Sequence, residues 1–364
     1  MSRITAVEPI HLQIPFQDGS EGIGLFPERW DTLDILLVRI ETGDGLVGWG
    51  EGFGYSCAEA TAAMVRRGVA PLLIGEDARD IAGLNRKVQQ RMVLPGRFGI
   101  STFALSGADI ALWDLAGKRE GVSASRLIGE RRQERVAAYA SLVRYGNTEA
   151  VGRFATRAEA EGYPVIKLHE VTMPEIRSAR AALQGDTALT IDVNCGWDFD
   201  FSREVIPELI ALGCSWLEEP LFPPEDGRAL VPLRGLGIPI AAGENLCTAS
   251  AFKAFLGEGG IDIAQPSVTK VGGITEVLSI RNACTRLGVR MVLHCPYFGP
   301  GYLASLQLST DPAGNESFEY LYIEPEAWLY PLLPRPVSGH ITIPDSPGLG
   351  MDPDPGVIAH YRVG

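Results

Sequence analysis

Leu189–Asn194, LTIDVN, is a short apolar run that breaks off in an acid. The design returns in Ser215–Pro220, SWLEEP, and in Ile238–Glu244, IPIAAGE, so that Asp192, Glu218 and Glu244 close three consecutive runs at intervals of 26 residues. Two similar runs come before them, Val136–Leu142 (VAAYASL) and Val165–Glu170 (VIKLHE). Three follow: Ile261–Ser267 (IDIAQPS), Arg290–Pro296 (RMVLHCP) and Ser317–Leu321 (SFEYL). The eight polar ends, Ser141, His169, Asp192, Glu218, Glu244, Ser267, His294 and Glu319, are spaced by 23 to 28 residues. One strand with one crossover helix needs about that length, and eight such units close a (β/α)8, TIM-like barrel. The competing α/β reading is an open doubly wound sheet. It would carry a glycine-rich phosphate loop after its first strand, and neither GxGxxG nor GxxxxGK[ST] is found there.

A chain of 364 residues exceeds one compact core, so a second, smaller domain is expected. Residues 1–130 read as an α+β capping domain. Asp34–Gly52 turns at Gly43-Asp44-Gly45 like a hairpin, and STFALSGADIALWDLAGK has helical spacing. Residues 131–334 read as the barrel. Residues 335–364 return to short strands and turns, and are expected to pack on the capping domain. Hydrophobic residues make up 46% and charged residues 21%, as in a well-buried globular protein. The net charge of −13, with no basic patch, argues against nucleic acid as a partner. No apolar run reaches the ~18 residues of a membrane span, no secretory leader is evident, and the six cysteines form no CxxC pair. A cytoplasmic protein is expected.

Barrel active sites lie at the C-terminal ends of the strands. Three acids on neighbouring strand ends cannot all remain ionised without a cation. Oxygen ligands with no histidine among them favour magnesium over zinc. Any one acid would more simply cap a helix or form an ion pair; three in register would not. Glu219 should point away from the site and form a salt bridge. Lys167 and His169 share one strand face two residues apart, and His294 approaches from the seventh run, so basic groups flank the acids.

These residues resemble the enolase superfamily, and within it the mandelate racemase-like enzymes. ALSGADIALWDLAGK is similar to the helix that closes that family's capping domain, IDVN, LEEP and AGEN to its metal-ligand segments, and KVGG (Lys270–Gly273) to its turn after strand six. The resemblance implies a capped barrel, Mg2+ held by Asp192, Glu218 and Glu244, and abstraction of the proton α to a carboxylate. It implies that Lys167 touches the substrate carboxylate, that His169 stands at the base position and His294 at the histidine of a His-Asp dyad, and that Glu319 hydrogen-bonds the enediolate. Ser141 and Asn194 fall at substrate-facing positions, and Ser267 falls where the dyad aspartate belongs. The family also implies a homo-oligomer.

Two departures stand out: KxH replaces KxK, and Ser267 replaces the aspartate. His169 titrates near neutrality when unperturbed and is a competent base; His294, without its partner, is the candidate acid. A small-molecule carboxylate is expected as substrate, with dehydration of a sugar acid as the leading reaction. Racemisation or epimerisation of a hydroxy or amino acid, and a barrel that binds a carboxylate without catalysis, are the alternatives. The segments Gln17–Trp30 and Gly50–Ser56 read as loops over the site. They offer Glu28, Arg29, Trp30, Phe53 and Tyr55 to the substrate, with Arg144, Tyr145, Tyr297 and Phe298 as further wall candidates.

Overall fold

The computed structural model describes residues 2–18 and 30–363. Strands β1 (Ile4–Gln17), β2 (Thr32–Thr42) and β3 (Val47–Gly52) form an antiparallel sheet, with the expected hairpin turn between β2 and β3. Along β1, Leu12, Ile14 and Phe16 are buried while Gln13, Pro15 and Gln17 are exposed, the period-2 signature of a half-buried strand.

The helix Ile100–Glu120 packs on this sheet and is buried on nearly every side. It approaches β3 so closely that a side chain cannot fit between them: a Cβ on Gly50 would lie 1.9 Å from the Gly107 carbonyl oxygen. Asp114 on the helix ties the layers together. Its carboxylate accepts the Trp49 N–H at 2.9 Å and the Leu349 N–H at 2.8 Å.

The second sheet is parallel. It contains β4 (Arg135–Ser141), β5 (Val165–Leu168), β6 (Ala188–Asp192), β7 (Cys214–Glu218), β8 (Ile240–Ala242), β9 (Ile263–Ala264), β10 (Arg290–Met291) and β11 (Phe318–Leu321). All eight expected runs therefore contribute a strand. They pair in the order β10-β9-β8-β7-β6-β5-β4-β11, with helices between them along the chain. The expected barrel is met in this curled mixed α/β arrangement, but among the described residues no ladder joins β10 to β11. An amide that would extend such a ladder turns to a side chain: Leu293 N–H donates to Asn315 Oδ1 at 2.9 Å. Single hydrogen bonds bridge the gap instead: Glu316 N–H to Met291 O at 3.3 Å and Cys295 N–H to Glu319 Oε2 at 2.8 Å.

The remaining strands are β12 (Glu324–Pro325), β13 (His340–Thr342) and β14 (Arg362–Val363). β12 and β14 pair with β1, whereas β13 pairs with β4. The C-terminal stretch thus serves both sheets, not the capping sheet alone as expected. No helix among the described residues is long and apolar enough to cross a membrane.

Candidate active site

The C-terminal ends of the parallel strands face a cavity of 410 Å³, which the capping segment Phe53–Ser56 also lines. Asp192 on β6 registers opposite Glu218 on β7, and Glu244 follows β8 by two residues. One carboxylate oxygen from each lies within 4.8 Å of the other two, and all three residues are buried. Asn194 and Cys195 after β6, and Glu219 after β7, take left-handed backbone angles (φ 45°, 61° and 44°). Such conformations are sparsely populated outside glycine, and they turn the chain away sharply beyond each acid.

Lys167 is fully enclosed beneath this cluster. Its Nζ lies 2.5 Å from Glu218 Oε1, 2.9 Å from Asp192 Oδ2 and 3.0 Å from Glu319 Oε1. It does not line the cavity, although contact with the substrate carboxylate was expected of it. Burial raises the pKa of every acid here, and the neighbours decide the outcome. Lys167 and His169 outweigh burial at Asp192 and hold it below its usual range. His294 does the same for Glu244, which falls to about 2. Glu218 goes well above its usual range, because burial and the charges of Asp192, Glu319 and Glu244 together exceed the pull of Lys167. Asp192 Oδ2 is buried and makes no well-directed hydrogen bond. Three buried carboxylates with oxygens converging within 4.8 Å form an all-oxygen donor set that fits a hard divalent cation.

The two histidines flank the acids, each with its Nε2 toward a carboxylate. His169 Nδ1 lies 2.5 Å from Leu142 O and donates there, which turns its Nε2 toward the acids, 3.4 Å from Asp192 Oδ2. His294 Nε2 lies 2.9 Å from Glu244 Oε2 and holds the proton, while its Nδ1 is buried without a partner. That unpartnered nitrogen follows from Ser267. The serine is buried, hydrogen-bonds to the Tyr297 hydroxyl and does not reach the cavity, contrary to the expected substrate contact.

Glu319 Oε1 accepts from Ser141 Oγ at 2.8 Å and from Lys167, and its Oε2 accepts from Cys295 N–H. Burial raises its pKa, but Lys167 and His294 outweigh this and leave it below the ordinary value. Glu319 thus orients Ser141 and Lys167.

Trp30, Phe53, Tyr55, Arg144, Asn194, Tyr297 and Phe298 line the cavity as expected. Trp30 meets Tyr55 edge-on at 5.0 Å. Tyr145 instead stacks on Phe154 at 4.6 Å, away from the cavity. Glu28 and Arg29 lie outside the described residues. Glu219 is buried and forms no salt bridge. It accepts the Gly243 N–H at 2.8 Å, and burial lifts its pKa to about 8. Sequence reasoning missed Glu51, Asn245 and Lys270 as cavity residues. The only signal for the last two was their place just after strands five and six.

Comparisons with known proteins agree with this geometry. Residues 29–129 match the mandelate racemase/muconate lactonizing enzyme N-terminal domain, and residues 150–357 match the enolase C-terminal domain-like family. The chain is 32% identical to D-galactarolactone cycloisomerase of Agrobacterium fabrum, over 97% of this chain and 96% of that protein. It is 27% identical to arabinonate dehydratase of Saccharolobus solfataricus, over 91% of each chain. The structure of L-talarate dehydratase from Polaromonas sp. JS666, complexed with Mg and L-glucarate, superposes with a TM-score of 0.84 at 26% identity, over 100% of this chain and 98% of that one. The chain belongs to the mandelate racemase/muconate lactonizing enzyme family of the enolase superfamily.

Proposed function

We propose that the protein is a Mg2+-dependent sugar-acid dehydratase, a carbon–oxygen lyase that removes the proton α to a carboxylate. The observation that carries this reading is the pair of histidines on either side of three clustered acids. Asp192, Glu218 and Glu244 would hold the ion. When bound, magnesium supplies Lewis acidity that stabilises negative charge on the substrate carboxylate. His169 Nε2, its lone pair directed by the Nδ1–H···Leu142 bond, takes the α-proton to give the enediolate. His294 Nε2–H, on the opposite flank, protonates the departing β-hydroxyl. Positioned proton transfer of this kind contributes about 10²- to 10⁴-fold each. Lys167 keeps the acids close-packed, and Glu319 fixes Ser141 at the cavity wall. The relatives named as arabinonate and L-talarate dehydratases support the reaction class. We further propose the division at residues 130 and 334, closure of the parallel sheet into a full barrel, and assembly of several copies.

Cycloisomerisation is the second reading, favoured by the 32% identity to D-galactarolactone cycloisomerase. A pooled screen in heavy water separates the two. The protein with magnesium meets aldonates, aldarates, lactones and hydroxy acids, read by mass spectrometry. Loss of one water, with the keto product trapped by semicarbazide, establishes dehydration. An isomer of unchanged composition establishes cycloisomerisation. An unchanged pool, with no deuterium gained by any member, overturns α-proton abstraction.

A further inference from the structure

Lys270 lies in the KVGG turn after β9 and lines the cavity although only 7% exposed. Its Nζ donates to Asn245 Oδ1 at 3.2 Å and sits 4.6 Å from the centroid of the Phe53 ring. Among the described residues no carboxylate comes within 4.0 Å of it. Other enclosed lysines differ: the half-buried Lys118 pairs with Asp114, and the buried Lys167 with three acids. A buried ammonium with three donors, one hydrogen-bond acceptor and no carboxylate in contact is suited to an anion supplied by a ligand. Its surroundings are held in place. Asn245 Nδ2 donates to Glu244 Oε1 at 3.2 Å, which turns the carboxamide oxygen toward Lys270. Phe53 N–H donates to Thr269 O at 3.3 Å, which fixes the aromatic ring against the ammonium.

We propose that Lys270, positioned by Asn245 and Phe53, is a second anion subsite that receives the carboxylate remote from the reacting carbon. The substrate is then an aldarate, a sugar acid with a carboxylate at each end, in preference to an aldonate. A hydroxyl at that end would not offset its charge. The inference rests on the sugar-acid reading above.

The test is isothermal titration calorimetry with magnesium present, on wild type, Lys270→Met and Lys270→Arg. The probes are three matched pairs that differ only at C6: gluconate and glucarate, galactonate and galactarate, mannonate and mannarate. Wild type should bind one aldarate more tightly than its aldonate. Lys270→Met should weaken that aldarate by about ten- to a hundredfold, the range of a charge-assisted hydrogen bond, while leaving the aldonate within about twofold. Lys270→Arg should recover most of the loss. Equal weakening of both acids by Lys270→Met, or no preference in wild type, overturns the subsite and leaves the sugar-acid reading standing. Failure of wild type to bind any of the six overturns both.

Discussion

Replacing Glu51 with glutamine should make the protein more stable, by an amount that grows with pH. Glu51 sits in β3, 3% exposed, with Oε2 accepting the Gly301 N–H at 2.7 Å. Burial lifts its pKa from 4.5 to about 8, and the single backbone hydrogen bond only partly opposes it. An acid whose folded pKa is raised binds more protons folded than unfolded between those two values. Its contribution therefore turns against folding as pH rises from 4.5 and levels off above 8. At 1.36 kcal/mol per unit the penalty is under ~1 kcal/mol at pH 5, about 3 at pH 7 and near 5 at pH 9. Glutamine keeps an oxygen for Gly301 N–H and carries no charge to desolvate. Urea unfolding of both proteins, followed by tryptophan fluorescence at these three pH values, isolates the difference, since every other titrating group is shared. A gap between the two midpoints that stays constant or shrinks from pH 5 to pH 9 would refute the reasoning.

Magnesium should raise the unfolding midpoint of the wild type, by about 2.7 kcal/mol at a hundredfold excess over Kd, and EDTA should reverse it. Asp192→Asn, Glu218→Gln and Glu244→Gln should each abolish that response in a thermal-shift assay. His169→Asn should remove solvent deuterium exchange at the substrate α-carbon. His294→Asn should retain exchange yet lose turnover by about 10²-fold or more, as seen by mass spectrometry in heavy water. Gly50→Ala should destabilise by at least ~3 kcal/mol or prevent soluble expression, because its Cβ would meet the Gly107 carbonyl oxygen at 1.9 Å. Circular dichroism melting reads this directly.

Asp192, Glu218 and Glu244 were legible because a strand's end and its facing side follow from a two-residue period, and eight repeats fix where the ends gather. The same period revealed His169 and His294. It could not reveal depth. Lys167 shares a face with His169, yet it sinks beneath the acids because three carboxylates attract it there. Ser267 was placed correctly at a strand end, but nothing local shows that Tyr297, thirty residues on, takes its hydroxyl. Lys270 and Asn245 lie in turns, where side-chain direction follows from loop conformation rather than from spacing. Glu219 lies beyond the end of its strand with φ at 44°, and its carboxylate turns to the Gly243 N–H, a partner that residue spacing does not show. Between β10 and β11 the Leu293 and Cys295 N–H groups go to the side chains of Asn315 and Glu319, a capture that strand patterning does not show.

The pairing of β1 has a bearing on the order of events during synthesis. His11 and Leu12 meet Val363 and Arg362, about 350 residues along the chain, and Phe16 meets Pro325. A strand made at the outset thus has exposed backbone groups until residues beyond the entire parallel sheet have been translated. Contacts of such separation form slowly, and an unfinished edge invites pairing with another chain. The cap and the parallel sheet should then become complete together, late in translation, and truncations within residues 324–363 should aggregate rather than yield a folded cap.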